Sequence, residues 1–78
     1  MTADQLRKTH HASPFRPFTI YLADGRFFRI EHPEFLSQAP VGRTFIVYGL
    51  DGSFDILDSF LVTGLEVHAS EKQEGEAA

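Results

Sequence analysis

A period-two alternation begins immediately after Pro17. Phe18, Ile20 and Leu22 fall on one side of an extended chain, and Thr19 and Tyr21 on the other, the spacing of a half-buried β-strand. Asp24-Gly25 marks a turn, and Phe27 to Ile30 forms the return strand. The length of the loop decides which residues meet. A two-residue loop sets Ile20 opposite Arg29. A three-residue loop, Ala23-Asp24-Gly25, sets Ile20 opposite Phe28 and Phe18 opposite Ile30, with Gly25 in the left-handed position of a bulge. Only the second keeps the apolar residues on one face, so the second is expected. It leaves Tyr21, Phe27 and Arg29 together on the other face, with Arg26 at the turn.

The second half of the chain repeats this pattern. Arg43 to Tyr48 is rich in β-formers, and Leu50-Asp51-Gly52 closes it onto Ser53 to Asp58. A three-residue loop again keeps apolar residues together, pairing Ile46 with Ile56 and Tyr48 with Phe54. Phe45, Val47 and Leu57 then form a second apolar face, so this sheet is expected to be covered on both sides. A tight turn at Asp58-Ser59-Phe60 leads to a last strand, Leu61 to His68. Within it Gly64 signals a bend or a close backbone approach.

Around the strands, Thr2-Ala3-Asp4-Gln5 reads as a capping box that starts a short helix through Leu6 and His10, ended by Ser13-Pro14. Pro14 and Pro17 keep "PFRPF" out of any central strand. Pro33-Glu34 starts one helical turn, with Phe35 and Leu36 packing down as a plug. The predicted fold is mainly β: a short N-terminal helix followed by a five-stranded, strongly bent antiparallel small barrel. Residues 1–69 form one domain, and 70–78 form a disordered acidic tail.

In element order, residues 3 to 68 resemble the Sm-like and SH3-like small barrels. "FTIYLADG" resembles the first Sm motif, an alternating strand ending in Asp-Gly. "DSFLVTGLEV" stands where the second motif would, without the Arg-Gly or Lys-Gly pair through which that family contacts RNA. The strings "PFRPFTIYLADGR", "HPEFL" and "GRTFIVY" are also similar to a group of short bacterial proteins of unassigned function, a likeness that implies no activity.

Composition narrows the function classes. A chain of 78 residues buries only about 60% of its unfolded surface, so its stability margin is thin. It has 0 cysteines, which excludes disulfides and thiolate metal sites. The net charge of -4 and the pI of about 5.4 oppose nonspecific attraction to phosphate. No apolar run approaches the ~20 residues of a membrane span and no signal pattern opens the chain, so a cytoplasmic location is expected.

Glu31, His32 and Glu34 stand close together in "IEHPEFLS". Neighbouring strand residues point to opposite faces, and His32 with Glu34 does not fill a four-ligand zinc shell. No metal or cofactor site is expected. The serines lie in turns or termini, outside any G-x-S-x-G frame. The chain is expected to lack the second layer that would enclose a pocket of several hundred Å³, and no enzymatic activity is expected.

Arginine beside aromatics is one form of single-strand platform. The nucleic-acid reading rests on Arg16, Arg26, Arg29 and Arg43 with Tyr21 and Phe27, and the alternative is an Sm-like RNA binder using Arg16, Arg26 and Arg29. The favoured expectation is self-association into a dimer or ring, with a protein partner. Eight phenylalanines exceed what so small a core holds, and Phe15, Phe27, Phe45 and Phe60 are surplus to Phe18, Phe28, Phe35 and Phe54. The candidate interaction residues are Arg16, Tyr21, Arg26, Phe27, Arg29, Phe45 and Phe60.

Overall fold

Both hairpins close with three-residue loops. In the computed structural model, which describes residues 2–69, strand β1 (Phe18–Leu22) pairs antiparallel with β2 (Phe27–Ile30), setting Phe18 opposite Ile30 and Ile20 opposite Phe28. The Leu22 N–H donates to the Arg26 carbonyl at 2.9 Å, and the Gly25 N–H donates to the Leu22 carbonyl at 3.1 Å. Gly25 holds φ +93°, and Gly52 in the second loop holds φ +90°. Residues with a Cβ pay for that left-handed region in sterics, so glycine is required at both corners. The acidic tail expected over 70–78 lies outside the described residues.

The helix α1 (Ala3–His10) starts where the capping box places it, with the Gln5 N–H donating to Thr2 Oγ1 at 3.3 Å. Pro33–Phe35 forms the expected single helical turn, of 3₁₀ type with proline at its start. Leu36 is buried beneath it.

The expected five-stranded barrel is corrected. Leu36 does not end in a plug; it begins a further short strand, β3 (Leu36–Gln38). With β4 (Thr44–Tyr48), β5 (Phe54–Asp58) and β6 (Val62–Val67) there are, among the described residues, six strands in two three-stranded antiparallel sheets. Their orders are β2-β1-β6 and β3-β4-β5, and no strand pairing closes them into a barrel. Each hairpin is followed by a 3₁₀ turn and a third strand, and that third strand joins the other hairpin. β3 follows the first hairpin and pairs with β4; β6 follows the second and pairs with β1. Neither unit completes its sheet alone.

A register shift between Tyr21 and Leu22 bends the β1–β6 seam, since Tyr21 faces Gly64 while Leu22 faces Val62. This is the bend signalled by Gly64. A close backbone approach is not found, because a Cβ at Gly64 would meet nothing within 4 Å.

The core lies between the sheets. Phe18, Ile20, Leu22 and Ile30 enter from one side; Leu36, Phe45, Val47 and Leu57 enter from the other; Leu6 of α1 and Val62 complete it. Pairing in the second hairpin is as expected, with Ile46 opposite Ile56 and Tyr48 opposite Phe54, but the faces are reversed. Phe45 is 1% exposed and Phe54 is 58% exposed. Phe45 is therefore corrected from interaction residue to core, and Phe54 from core to surface. The cause is β3: Leu36 pairs with Val47 and Gln38 with Phe45 on the inner face, while the polar Ser37 pairs with Ile46 on the outer.

α1 docks at the Phe45 end of β4. His10 is buried, its Nε2 lying 2.7 Å from the Pro33 carbonyl and its Nδ1 lying 3.2 Å from Gln38 Oε1, while Arg7 donates to the Ala39 carbonyl at 3.4 Å. A carbonyl only accepts, so His10 Nε2 carries the proton.

Two stability outcomes follow. Phe45→Ala leaves a cavity among Leu36, Val47 and Leu57 and is expected to cost about 3–5 kcal/mol, read as lost cooperative unfolding in a denaturant melt. Ser59 is 1% exposed and its hydroxyl has no hydrogen-bond partner among the described residues. A buried unpaired polar group costs about 1–3 kcal/mol, so Ser59→Ala is expected to raise the urea midpoint. A lower midpoint would show that the hydroxyl is satisfied in solution.

Candidate functional site

Three surfaces carry the candidate residues. The first is the outer face of β1 and β2. Strand parity brings Tyr21, Phe27 and Arg29 together there as expected, and the Tyr21 and Phe27 rings stand 6.2 Å apart. Phe27 is 65% exposed. The cations on or beside this face are each engaged. Arg26 Nε pairs with Asp24 at 2.9 Å, and Arg29 Nε pairs with Glu31 at 2.7 Å. Arg16 Nε donates to the His68 carbonyl at 3.1 Å. The Tyr21 hydroxyl donates to Glu66 at 2.6 Å, and this carboxylate holds the phenol above its ordinary pKa. With Asp24, Glu31 and Glu66 beside Arg26 and Arg29, the face presents no excess positive charge to a phosphate backbone. Thr19, expected to point outward, is covered, with its hydroxyl 2.8 Å from His68 Nε2 across the β1–β6 seam.

The second surface is the outer face of β4 and β5, which sequence reasoning assigned to the interior. Ile56 is 65% exposed and stands beside Phe54, with Tyr48 also open to solvent. The Tyr48 and Phe54 rings lie 6.4 Å apart. At the far end of the face Arg43 pairs with Asp58 at 3.1 Å, and its guanidinium sits 3.9 Å from the Phe60 ring centroid. Phe60 is exposed, as expected. β5 has a neighbour on one side only, so its other edge leaves backbone donors and acceptors unpaired. The sequence did contain the signal for this surface, since both faces of the hairpin are apolar and only one can turn inward.

The third surface is a half-open cleft of about 600 Å³ at the loop end of β4 and β5; the second layer that was expected to be lacking is present as the second sheet, and the space between is open on one side rather than enclosed. Phe28, Phe35, Val47 and Leu50 give it apolar walls; Arg29, Glu31, His32 and Asp55 give it charge. His32 stands just before the 3₁₀ turn with its ring 5.9 Å from Phe35. Glu31 is held by Arg29 at 2.7 Å. Among the described residues there is no group of three or more histidine or acidic side chains placed to hold a metal ion. No described helix is long and apolar enough to cross a membrane.

The two hairpin loops present these surfaces, and each is fixed by an aspartate. The backbone N–H of Arg26 donates to Asp24 Oδ1 at 3.1 Å, and the N–H and hydroxyl of Ser53 donate to Asp51 Oδ1 at 3.0 and 2.6 Å. These bonds hold both carboxyls below the ordinary aspartate value. Compared with family models, curated proteins and solved structures, the chain matches none.

A depressed carboxyl pKa favours the folded state above the unfolded value and loses that contribution as pH falls through the folded one. Stability is therefore expected to decline as pH drops below about 4. The double variant Asp24→Asn, Asp51→Asn should show a shallower decline in thermal melts between neutral and acid pH. An unchanged slope would mean that neither loop carboxylate is linked to folding.

Proposed function

We propose that the chain is a non-enzymatic β module that associates with a second copy of itself and serves as a protein-interaction unit, through the outer face of β4 and β5. The observation that carries this reading is the pair Phe54 and Ile56, more than half exposed on a strand whose outer edge is unpaired. Exposed contiguous apolar surface of this kind marks contacts in soluble proteins. Aromatic rings each bury roughly 150–250 Å², so Tyr48, Phe54 and Phe60 with Ile56 supply much of the ~800 Å² per partner that a specific interface needs.

Strand charge favours one arrangement. Antiparallel pairing of two β5 edges centred on Ile56 brings the two isoleucines together on the apolar face. Centring on Asp55 instead sets two carboxylates directly opposite, which is destabilising. A two-fold closed pair follows from the first register. The RNA alternative receives less support, because Arg16, Arg26 and Arg29 already have acceptors and the chain is acidic. The non-enzymatic part is supported by the use of Asp24, Asp51 and Asp58 in loop and turn hydrogen bonds.

The test is assembly state by light scattering across micromolar concentrations. The wild-type chain is expected to reach twice the monomer mass, and Ile56→Lys to stay monomeric. Because Ile56 is mostly exposed within one subunit, the variant's own fold should change by no more than about 0.5 kcal/mol. A wild-type chain that stays monomeric at all concentrations would overturn the proposal.

A further inference from the structure

The cleft at the loop end of β4 and β5 has a size and a charge balance that name a class of ligand. Its volume of about 600 Å³ lies within the ~300–1,000 Å³ of small-molecule sites. Five ionisable groups face it: Arg29, Glu31, His32, Tyr48 and Asp55. Arg29 and Glu31 bind each other at 2.7 and 3.1 Å and neutralise one another. Asp55 is different. It lies opposite Val47 on the inner face of β5, two residues before the buried Leu57. Among the described residues it has no hydrogen-bond or ion-pair partner, whereas Asp4, Asp24, Asp51 and Asp58 all have one. With histidine counted neutral, the cleft therefore holds one uncompensated negative charge.

We propose that this cleft binds a small organic cation: an ammonium or guanidinium group on an apolar body, with Asp55 as its counter-ion and Phe28 and Phe35 as its walls. Asp55 is exposed to solvent, so its charge attracts a cation without the strengthening that burial gives, and the aromatic ring faces beside it add to that attraction. An anion gains nothing comparable, since Asp55 repels it and Arg29 is engaged. A bare divalent cation is disfavoured as well, because it requires several oxygen ligands and the cleft walls are mostly carbon. Asp55 and Ile56 point to opposite sides of β5, and Tyr48 borders both the cleft and the association face.

The experiment is an NMR titration of the isotopically labelled full chain with 2-phenylethylammonium, with phenylacetate and 2-phenylethanol as charge-reversed and neutral controls of similar shape. The cation is expected to shift the Val47 methyl and Phe28 ring signals saturably at millimolar concentration, as suits a probe of about nine heavy atoms. Phenylacetate should bind at least about ten-fold more weakly, a difference of ~1.4 kcal/mol. Asp55→Asn should weaken the cation at least about five-fold while leaving 2-phenylethanol within about two-fold; that second reading shows that the cleft is still formed. Equal binding of phenylacetate overturns the proposal, as does an Asp55→Asn variant that binds the cation unchanged. Absence of any saturable shift at the cleft in the wild-type chain overturns it too, and the result does not depend on assembly if repeated in Ile56→Lys.

Discussion

Strand parity, fixed at two glycine corners, is the constraint on which this structure depends. Each three-residue loop ends in a glycine at a φ near +90°, and that corner sets the pairing of every residue in its hairpin. A loop one residue shorter would place Arg29 opposite Ile20 in the first hairpin and would turn its apolar row toward a charge. In the first hairpin parity is enough to define the inside, because one face is apolar and the other carries Thr19, Tyr21, Phe27 and Arg29. In the second it is not enough, because both faces are apolar. The ambiguity is resolved from outside the hairpin, by β3, whose Leu36 and Ser37 suit only one choice of inner face.

Exchange of third strands is the structural consequence. Leu36 and Val62 each follow a 3₁₀ turn, each is buried, and each opens a strand that pairs with the hairpin from the other half of the chain. The exchange makes the two halves interdependent, which suits a domain with a thin margin of stability: neither sheet exists without a strand from the other unit. It also explains why α1 matters. Leu6 and His10 reach the segment that links the units, and the His10 contacts to Pro33 and Gln38 hold the turn from which β3 leaves.

The hairpins, their registers, the helix cap and the turn at Pro33 were all legible in the sequence, because each rests on local chemistry within a few residues. What was not legible required a comparison between distant segments. β3 has only three residues, too short to show alternation, and its pairing with β4 is what turns Phe45 inward. The same pairing leaves Phe54 and Ile56 as surface residues. Tyr21, Phe27, Arg26 and Arg29 were placed correctly by parity, yet their ion pairs with Asp24 and Glu31 are side-chain choices that spacing alone does not decide. Those pairs are exposed and contribute little to stability; their effect is to remove free positive charge from the face.

A single polar position interrupts the apolar inner face of the second sheet. The inner face of the first sheet is apolar along its length, through Phe18, Ile20, Leu22, Phe28 and Ile30. The inner face of the second runs from Phe45 through Val47 and Leu57 and then meets Asp55. Closing the sheets over that carboxylate would remove it from water without a partner, a cost of several kcal/mol for an ionised group. Keeping the gap open leaves Asp55 hydrated and leaves the cleft beside it. The same carboxylate thus stands at the point where the apolar inner face ends and the cleft begins.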